Sequence, residues 1–181
     1  MGPPLTTARL HLREWHVDDA EDAFEIYGDP EVIRFFGTGP PVPDVAAQQL
    51  WLAERIERHR APAFAGMGAW ALVESSTQRP VGTLLLKPIP PANLEIEIGW
   101  HLARRCWGKG YASEGARAVL RYGLADLGLS RICAVMHPDN HRSSVVARRI
   151  GMKWVERTRQ YYEGEELDLF AVERNWLVSA S

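Results

Sequence analysis

Cysteine is scarce in this 181-residue chain: Cys106 and Cys133 are the only two, and no Cys-x-x-Cys occurs. That spacing fits neither a disulfide framework nor a zinc site, and it points to a reducing cytoplasm. A basic excess is missing too. The formal net charge is -2, which argues against a nucleic-acid binder working by bulk charge but leaves room for a local basic groove around a phosphorylated cofactor. Long apolar runs are absent: the longest, around Phe64 to Val73, is too short to span a bilayer, so no membrane partner is expected. The opening Met1-Gly2-Pro3-Pro4-Leu5-Thr6 has no basic cluster and no apolar core, and is not read as a signal peptide. His137 and His141 stand four apart, but Pro138 breaks any helix that would align them, so no metal site is expected. Repeats and low-complexity linkers are likewise missing.

What remains is an ordinary globular composition, 46% hydrophobic and 24% charged, with a length that suits one domain spanning residues 1–181. Strands and helices alternate. Thr7 to Arg13 reads as a strand, with Leu10 and Leu12 on one face. Val17 to Tyr27 reads as a helix stopped by Gly28-Asp29-Pro30, and Gly37 to Pro43 as a loop. Asp44 to Arg60 is a second helix with Asp44 as N-cap. Met67 to Glu74, Val81 to Lys87 and Leu94 to Leu102 form an antiparallel meander, with a turn from Pro88 to Asn93. A helix over about Ala112 to Leu127, a strand at Arg131 to Met136, a short helix over about Ser143 to Ile150 and a terminal hairpin (Lys153 to Tyr161, Leu167 to Trp176) complete a mixed α+β domain around a twisted sheet.

Arg104-Arg105-Cys106-Trp107-Gly108-Lys109-Gly110-Tyr111-Ala112 lies directly between a strand and a helix. Glycines flank Lys109 and permit a tight turn. Amides of the turn and of the first helical residues would converge, and the helix dipole favours negative charge there. Arg104, Arg105 and Lys109 add positive charge, and a pyrophosphate would fit. Gly108-Lys109 is not followed by Ser or Thr, so this is no Walker loop, and the dinucleotide-binding glycine spacing is absent.

Arg105-x-x-Gly108-x-Gly110 resembles the Arg/Gln-x-x-Gly-x-Gly/Ala signature of the GNAT acetyltransferases. The wider string Ile98-Gly99-Trp100-His101-Leu102 through Trp107-Gly108-Lys109-Gly110-Tyr111-Ala112-Ser113-Glu114 is similar to the RimJ/RimL-type branch, which includes ribosomal-protein-alanine N-acetyltransferases. Similarity extends to Leu5 through Arg13, to Asn140-His141-Arg142-Ser143-Ser144 running into Ile150-Gly151-Met152, and to Arg174-Asn175-Trp176. The resemblance implies a seven-strand, mostly antiparallel sheet flanked by about four helices and splayed between its fourth and fifth strands. It implies acetyl-CoA as cosubstrate, without a metal, and an amine acceptor: a peptide N-terminus or a small molecule. A homodimer is plausible from the family. The pantetheine arm would pair with backbone near His101 and Leu102. The pyrophosphate would meet the amides from Arg105 to Ala112, so Arg105, Gly108, Lys109, Gly110, Tyr111 and Ala112 are cofactor candidates, and Asn140 would bond the pantetheine region.

Amine acetylation needs a base for the ammonium, donors for the oxyanion and a proton for the departing thiolate. Glu95, Glu97 and His101 alternate onto one face of their strand, with Leu94, Ile96 and Ile98 on the other. Glu97 is the first choice of base, with Glu95 and His101 as alternatives. Amides at a strand bulge around Trp100 to Leu102 would hold the oxyanion. The resemblance offers Ser143 as thiolate proton donor, beside a helix-capping role. Other branches use a tyrosine near the C-terminal strands; Tyr161 and Tyr162 are nearest, but precede the expected hairpin turn. Cys133 reads as a buried structural thiol. Trp100, Trp107 and Trp154 read as core or cleft wall. Phe35, Phe36 and Trp51 read as core before acceptor wall, and Glu163, Glu165 and Glu166 as a solvated turn. The expected function is an N-acetyltransferase acting by direct attack in a ternary complex; the alternative is a non-catalytic acyl-CoA sensor.

Overall fold

The computed structural model describes residues 1–36, 40–90 and 95–179. Gly37, Thr38 and Gly39 of the expected Gly/Pro loop, Pro91 to Asn93 of the expected turn, and Leu94 lie outside the described residues. Among the described residues eight strands form one sheet: β1 (Leu5–Thr6), β2 (Leu10–Glu14), β3 (Gly68–Glu74), β4 (Pro80–Pro88), β5 (Ile96–Leu102), β6 (Arg131–Met136), β7 (Lys153–Thr158) and β8 (Leu167–Glu173), in the order β1-β2-β3-β4-β5-β6-β8-β7. Among the described residues six α-helices accompany them: α1 (Ala20–Tyr27), α2 (Pro30–Ile33), α3 (Val45–Arg60), α4 (Tyr111–Arg121), α5 (His141–Arg149) and α6 (Trp176–Ser179).

The mixed α+β class stands, with eight strands in place of seven. The strand expected from Thr7 begins only at Leu10, and the short β1 before it folds back to pair antiparallel with β2; Thr7 and Arg9, at the turn between them, are held by α4. Thr7 Oγ1 and the Arg9 amide both donate to Glu114 on α4, at 2.6 and 2.9 Å. The helix expected to run to Leu127 leaves α-geometry at Arg121 and widens into a π-turn over Tyr122–Asp126. Gly123 sits there against Ile132, whose Cδ1 would lie 2.7 Å from any added Cβ. The added helix α2 starts where a stop was expected: Asp29 accepts from the Glu31 amide and Pro30 occupies the first helical position, where its missing N–H costs nothing.

Neighbouring residues on β4 show which helices cover which face. Thr83 Oγ1 bonds Tyr27 of α1 at 2.7 Å, whereas Leu84 touches the site where Gly115 of α4 approaches the sheet. Alternation along the strand therefore puts α1 on one face and α4 on the other. The core packs Trp70, Leu72, Leu84, Leu86 and Ile98 with Val119 and Leu120.

All pairings are antiparallel except β5 with β6, which are parallel and meet at one register pair, Glu97↔Cys133. By contrast, β4 and β5 remain in register from Gly82↔Leu102 to Pro88↔Ile96. Past Glu97 the two halves of the sheet part, and the site lies in that opening.

Candidate active site at the opened seam

From the end of β5 the chain makes a 3-10 turn over Arg104–Cys106 and reaches α4 through two left-handed glycines, Gly108 at φ 76° and Gly110 at φ 81°. An alanine Cβ at Gly108 would meet nothing within 4 Å. The requirement there is backbone conformation, not space. Gly110 is the N-cap of α4 and supplies no side-chain cap, so the first amides of the helix stay available. Ser113, in that first turn, is 3% exposed and its hydroxyl has no partner. The acidic residue of the turn, Glu114, is directed away. Burial opposes its charge, but hydrogen bonds from Thr7 and Arg9 hold its carboxyl below the usual range. The corner therefore presents donors with no competing anion.

A cleft of about 500 Å³ runs from this corner into the seam. Among the expected cofactor residues, His101, Leu102, Gly108, Gly110, Tyr111, Ala112 and Asn140 line it, as does Ser143. Arg105 and Lys109 do not. Arg105 Nε pairs with Glu25 at 2.7 Å and Arg104 with Asp29 at 3.0 Å, so the charge expected from these arginines is spent on α1 and on the residue before α2. Lys109 is exposed, with its carbonyl taken by Arg9. The Leu102 carbonyl is also engaged, by Trp107 Nε1 at 3.0 Å, so strand pairing by a ligand there has one acceptor fewer. No register shift marks Trp100 to Leu102, and the expected bulge is absent: each residue of β5 has its partner on β4.

Asn140, not Ser143, caps α5. Its Oδ1 accepts from the Ser143 amide at 3.2 Å, and Ser143 is the third residue of the helix. Phe35 and Phe36, read as core, line the cleft together with Trp100 and Trp107. Phe36 lies 3.9 Å from His101 and Phe35 stacks on His137 at 5.4 Å, centroid to centroid. Trp51 packs on Tyr27. Trp154 is neither core nor wall: it is 52% exposed on β7, at the sheet edge.

Glu95, Glu97 and His101 occupy different settings. His101 faces the cleft, with Nδ1 3.2 Å from Tyr27 Oη. Burial, with Arg55 and Lys87 nearby, drops its pKa to about 3 and keeps the ring neutral. Glu97 is buried and does not line the cleft. Lys87 Nζ lies 2.6 Å from it, and Tyr162 donates its hydroxyl to the same carboxylate. Tyr161 donates to Glu95 in the same way. Burial and these carboxylates push both phenols above their ordinary pKa. Cys133, under Glu95, is pushed up to about 12 by burial and that carboxylate, which fits an inert structural thiol.

Sequence reasoning missed Ser113 as a site residue, the Lys87 partner of Glu97, and the placement of the two tyrosines. Ser113 carried a signal, one turn into a helix opened by glycine. The tyrosines carried none, because Tyr162 and Glu163 adopt left-handed backbone at φ 46° and 59° without being glycine. Among the described residues no group of three or more His, Cys, Asp and Glu is placed to hold a metal, and no helix is long and apolar enough to cross a membrane.

A strand-to-helix corner of bare amides opening onto a parted sheet defines the acetyltransferase class, and the comparisons agree. Residues 9–153 match the acetyltransferase (GNAT) domain. The chain is 46% identical over 149 residues to the uncharacterized N-acetyltransferase YnaD of Bacillus subtilis (strain 168), covering 82% of each chain. It superposes on a GNAT-family acetyltransferase from Bacillus anthracis with a TM-score of 0.79 at 22% identity, covering 96% of this chain and 99% of that one. It also shares its fold with RimL, a ribosomal L7/L12 alpha-N-protein acetyltransferase solved with coenzyme A, at a TM-score of 0.73 and 15% identity, covering 94% and 98%. The chain belongs to the GNAT acetyltransferase family and is an N-acetyltransferase.

Proposed function

We propose that the protein moves an acetyl group from acetyl-CoA to a primary amine by direct attack within a ternary complex. One observation carries this reading: a continuous cleft joins the uncapped amides at Gly110–Ser113 to the seam beyond Glu97. The corner suits a diphosphate, and the seam offers unpaired strand backbone to an extended, amide-bearing arm.

In this reading the amine nitrogen forms a bond to the thioester carbonyl carbon. Its proton passes through water to Glu97, which lies on the same strand face as His101 but outside the cleft lining. Tyr162 and Lys87 fix that carboxylate in place. The neutral His101 accepts a hydrogen bond from the incoming amine and, held uncharged, does not repel it. Collapse of the tetrahedral oxyanion breaks the carbon–sulfur bond, and Ser143 donates the proton that the thiolate takes up. Phe35 and Phe36 form the wall on the acceptor side. The acceptor is a peptide N-terminal amine or a small amine; the RimL likeness in fold favours testing the first.

Thiol release from acetyl-CoA, measured with N-terminal peptides, polyamines and aminoglycosides, tests the proposal. Acetylation of at least one amine, with the product identified by mass, supports it. Tight coenzyme binding with no acetylated amine would favour an acyl-CoA sensor.

A further inference from the structure

Phe36 is 40% exposed at the cleft, yet it is held in one place. Its ring lies 3.9 Å from His101 and 6.2 Å from Tyr27, centroid to centroid. Its amide donates to the Ile33 carbonyl at 2.8 Å and closes the last turn of α2. The start of α2 is anchored in turn, because its capping Asp29 pairs with Arg104 just beyond β5 at 3.0 Å. This short, tethered segment therefore carries Phe35 and Phe36 to the cleft beside His101. An ordered aromatic face left open to a cleft suits an apolar group of similar size.

Charge at this end of the cleft favours the same kind of occupant. Glu31 is the only carboxylate among the described residues that line it, and it is exposed. Other acids around it are committed: Glu97 to Lys87 at 2.6 Å, Glu25 to Arg105 at 2.7 Å and Asp29 to Arg104. Behind Tyr27, Arg55 Nη1 donates to the phenol oxygen at 3.5 Å. Burial, then Arg55 and Lys87, oppose a proton on His101. Two aromatic faces that could hold a cation already carry one: Arg34 lies over Phe35 at 5.3 Å and Arg142 over Trp107 at 4.1 Å. A monoamine gives up its one charge on becoming a nucleophile, so it reacts here as a neutral molecule. A polyamine or an aminoglycoside would bring in further ammonium groups with too few carboxylates to meet them.

We propose that the acceptor is a monoamine with an aromatic or similarly bulky apolar group close to its amine, received by Phe35 and Phe36 beside His101. Polycations are poor acceptors. The inference rests on the functional reading above and names the acceptor class within it. Such a group belongs to a small ring-bearing amine or to an aromatic residue at a peptide N-terminus, and the experiment separates the two.

Steady-state acetylation by the whole protein, at equal concentrations of free amine, tests it. The acceptors are phenethylamine against ethylamine, a pentapeptide beginning with Phe against one beginning with Ser, and spermidine. In the small-amine pair, the peptide pair or both, the member with the ring should lead in kcat/KM by about tenfold or more. The pair that shows the lead identifies the source, and spermidine should trail the leader by at least the same factor. Phe36→Ala should cut the lead at least about threefold, through KM. Phe36→Tyr keeps the ring and should keep the lead, and thermal melts confirm that both variants fold. No lead in either pair, spermidine as good as the leader, or a lead unchanged in folded Phe36→Ala overturns the inference and leaves the functional reading standing. Coenzyme binding with no amine acetylated overturns the two together.

Discussion

The hydroxyl of Tyr162 donates to the carboxylate of Glu97, although 65 residues separate them in sequence. Lys87 closes on the same carboxylate from the neighbouring strand, opposite Glu97 in the β4–β5 register. A carboxylate held by two donors on a buried strand face is fixed to within a rotamer.

Glu97→Gln should lower kcat/KM about 10²-fold or more at neutral pH. The loss should be partly recovered at high pH, where the amine is already free. Tyr162→Phe removes a donor but leaves the carboxylate, so its effect should be smaller, about tenfold. Steady-state rates from pH 6 to 10 check both; unchanged turnover in Glu97→Gln assigns the proton transfer to another group.

Buried His59 and half-buried, cleft-facing His101 predict acid sensitivity. Burial lowers the His59 pKa to about 4 and the His101 pKa to about 3, from 6.5 in an unfolded chain. Above pH 6.5 both states are neutral and the stability is fully present. As pH falls from 6.5 toward 4, the unfolded chain binds protons that the folded chain refuses. Stability should then decline by at most about 1.4 kcal/mol per pH unit for each histidine. Urea midpoints at pH 7 and pH 5 measure this. His59→Gln should flatten the slope, and an equal slope in that variant would discard the explanation for His59.

Gly110→Ala forces a side chain into φ 81°. The backbone cost is about 1–2 kcal/mol, seen as a fall of a few degrees in Tm. Coenzyme affinity should fall by at least about tenfold, because the amides of the corner lose their shared direction. Retained affinity in a folded Gly110→Ala protein would separate the corner from coenzyme binding.

Asn140→Ala and Ser143→Ala should part company. The first removes the cap of α5 and should cost about 1 kcal/mol of stability, with a rise in KM for acetyl-CoA if the side chain also meets the ligand. The second leaves the cap in place, so Tm should hold while kcat falls about tenfold or more if the hydroxyl protonates the thiolate. A Ser143→Ala enzyme with full kcat would remove Ser143 from the chemistry.

Local signals were legible where one segment decides its own structure. Asp44 caps α3 as expected, accepting from the Ala47 amide at 2.8 Å, and β6 has the bounds that its apolar run gave. The glycine corner was legible because left-handed backbone asks for glycine. What failed was decided by distant partners. Glu114 holds Thr7, where the first strand was expected to begin, from 107 residues away, and Glu25 and Asp29 take the arginines that charge alone had assigned to phosphate. Gly28-Asp29-Pro30 was ambiguous in itself, since the residues that end one helix also cap and open the next.

The lone rung between β5 and β6 has a consequence for motion as well as for binding. Amides of 98–102 and 134–136 that face the gap lack a partner strand, so they should exchange with deuterated solvent faster than those of the unbroken β3–β4 ladder. A coenzyme arm lying in the gap would act as a missing strand and slow that exchange. Occupancy would then stiffen the join between the two halves of the protein, and each catalytic cycle would zip and unzip it.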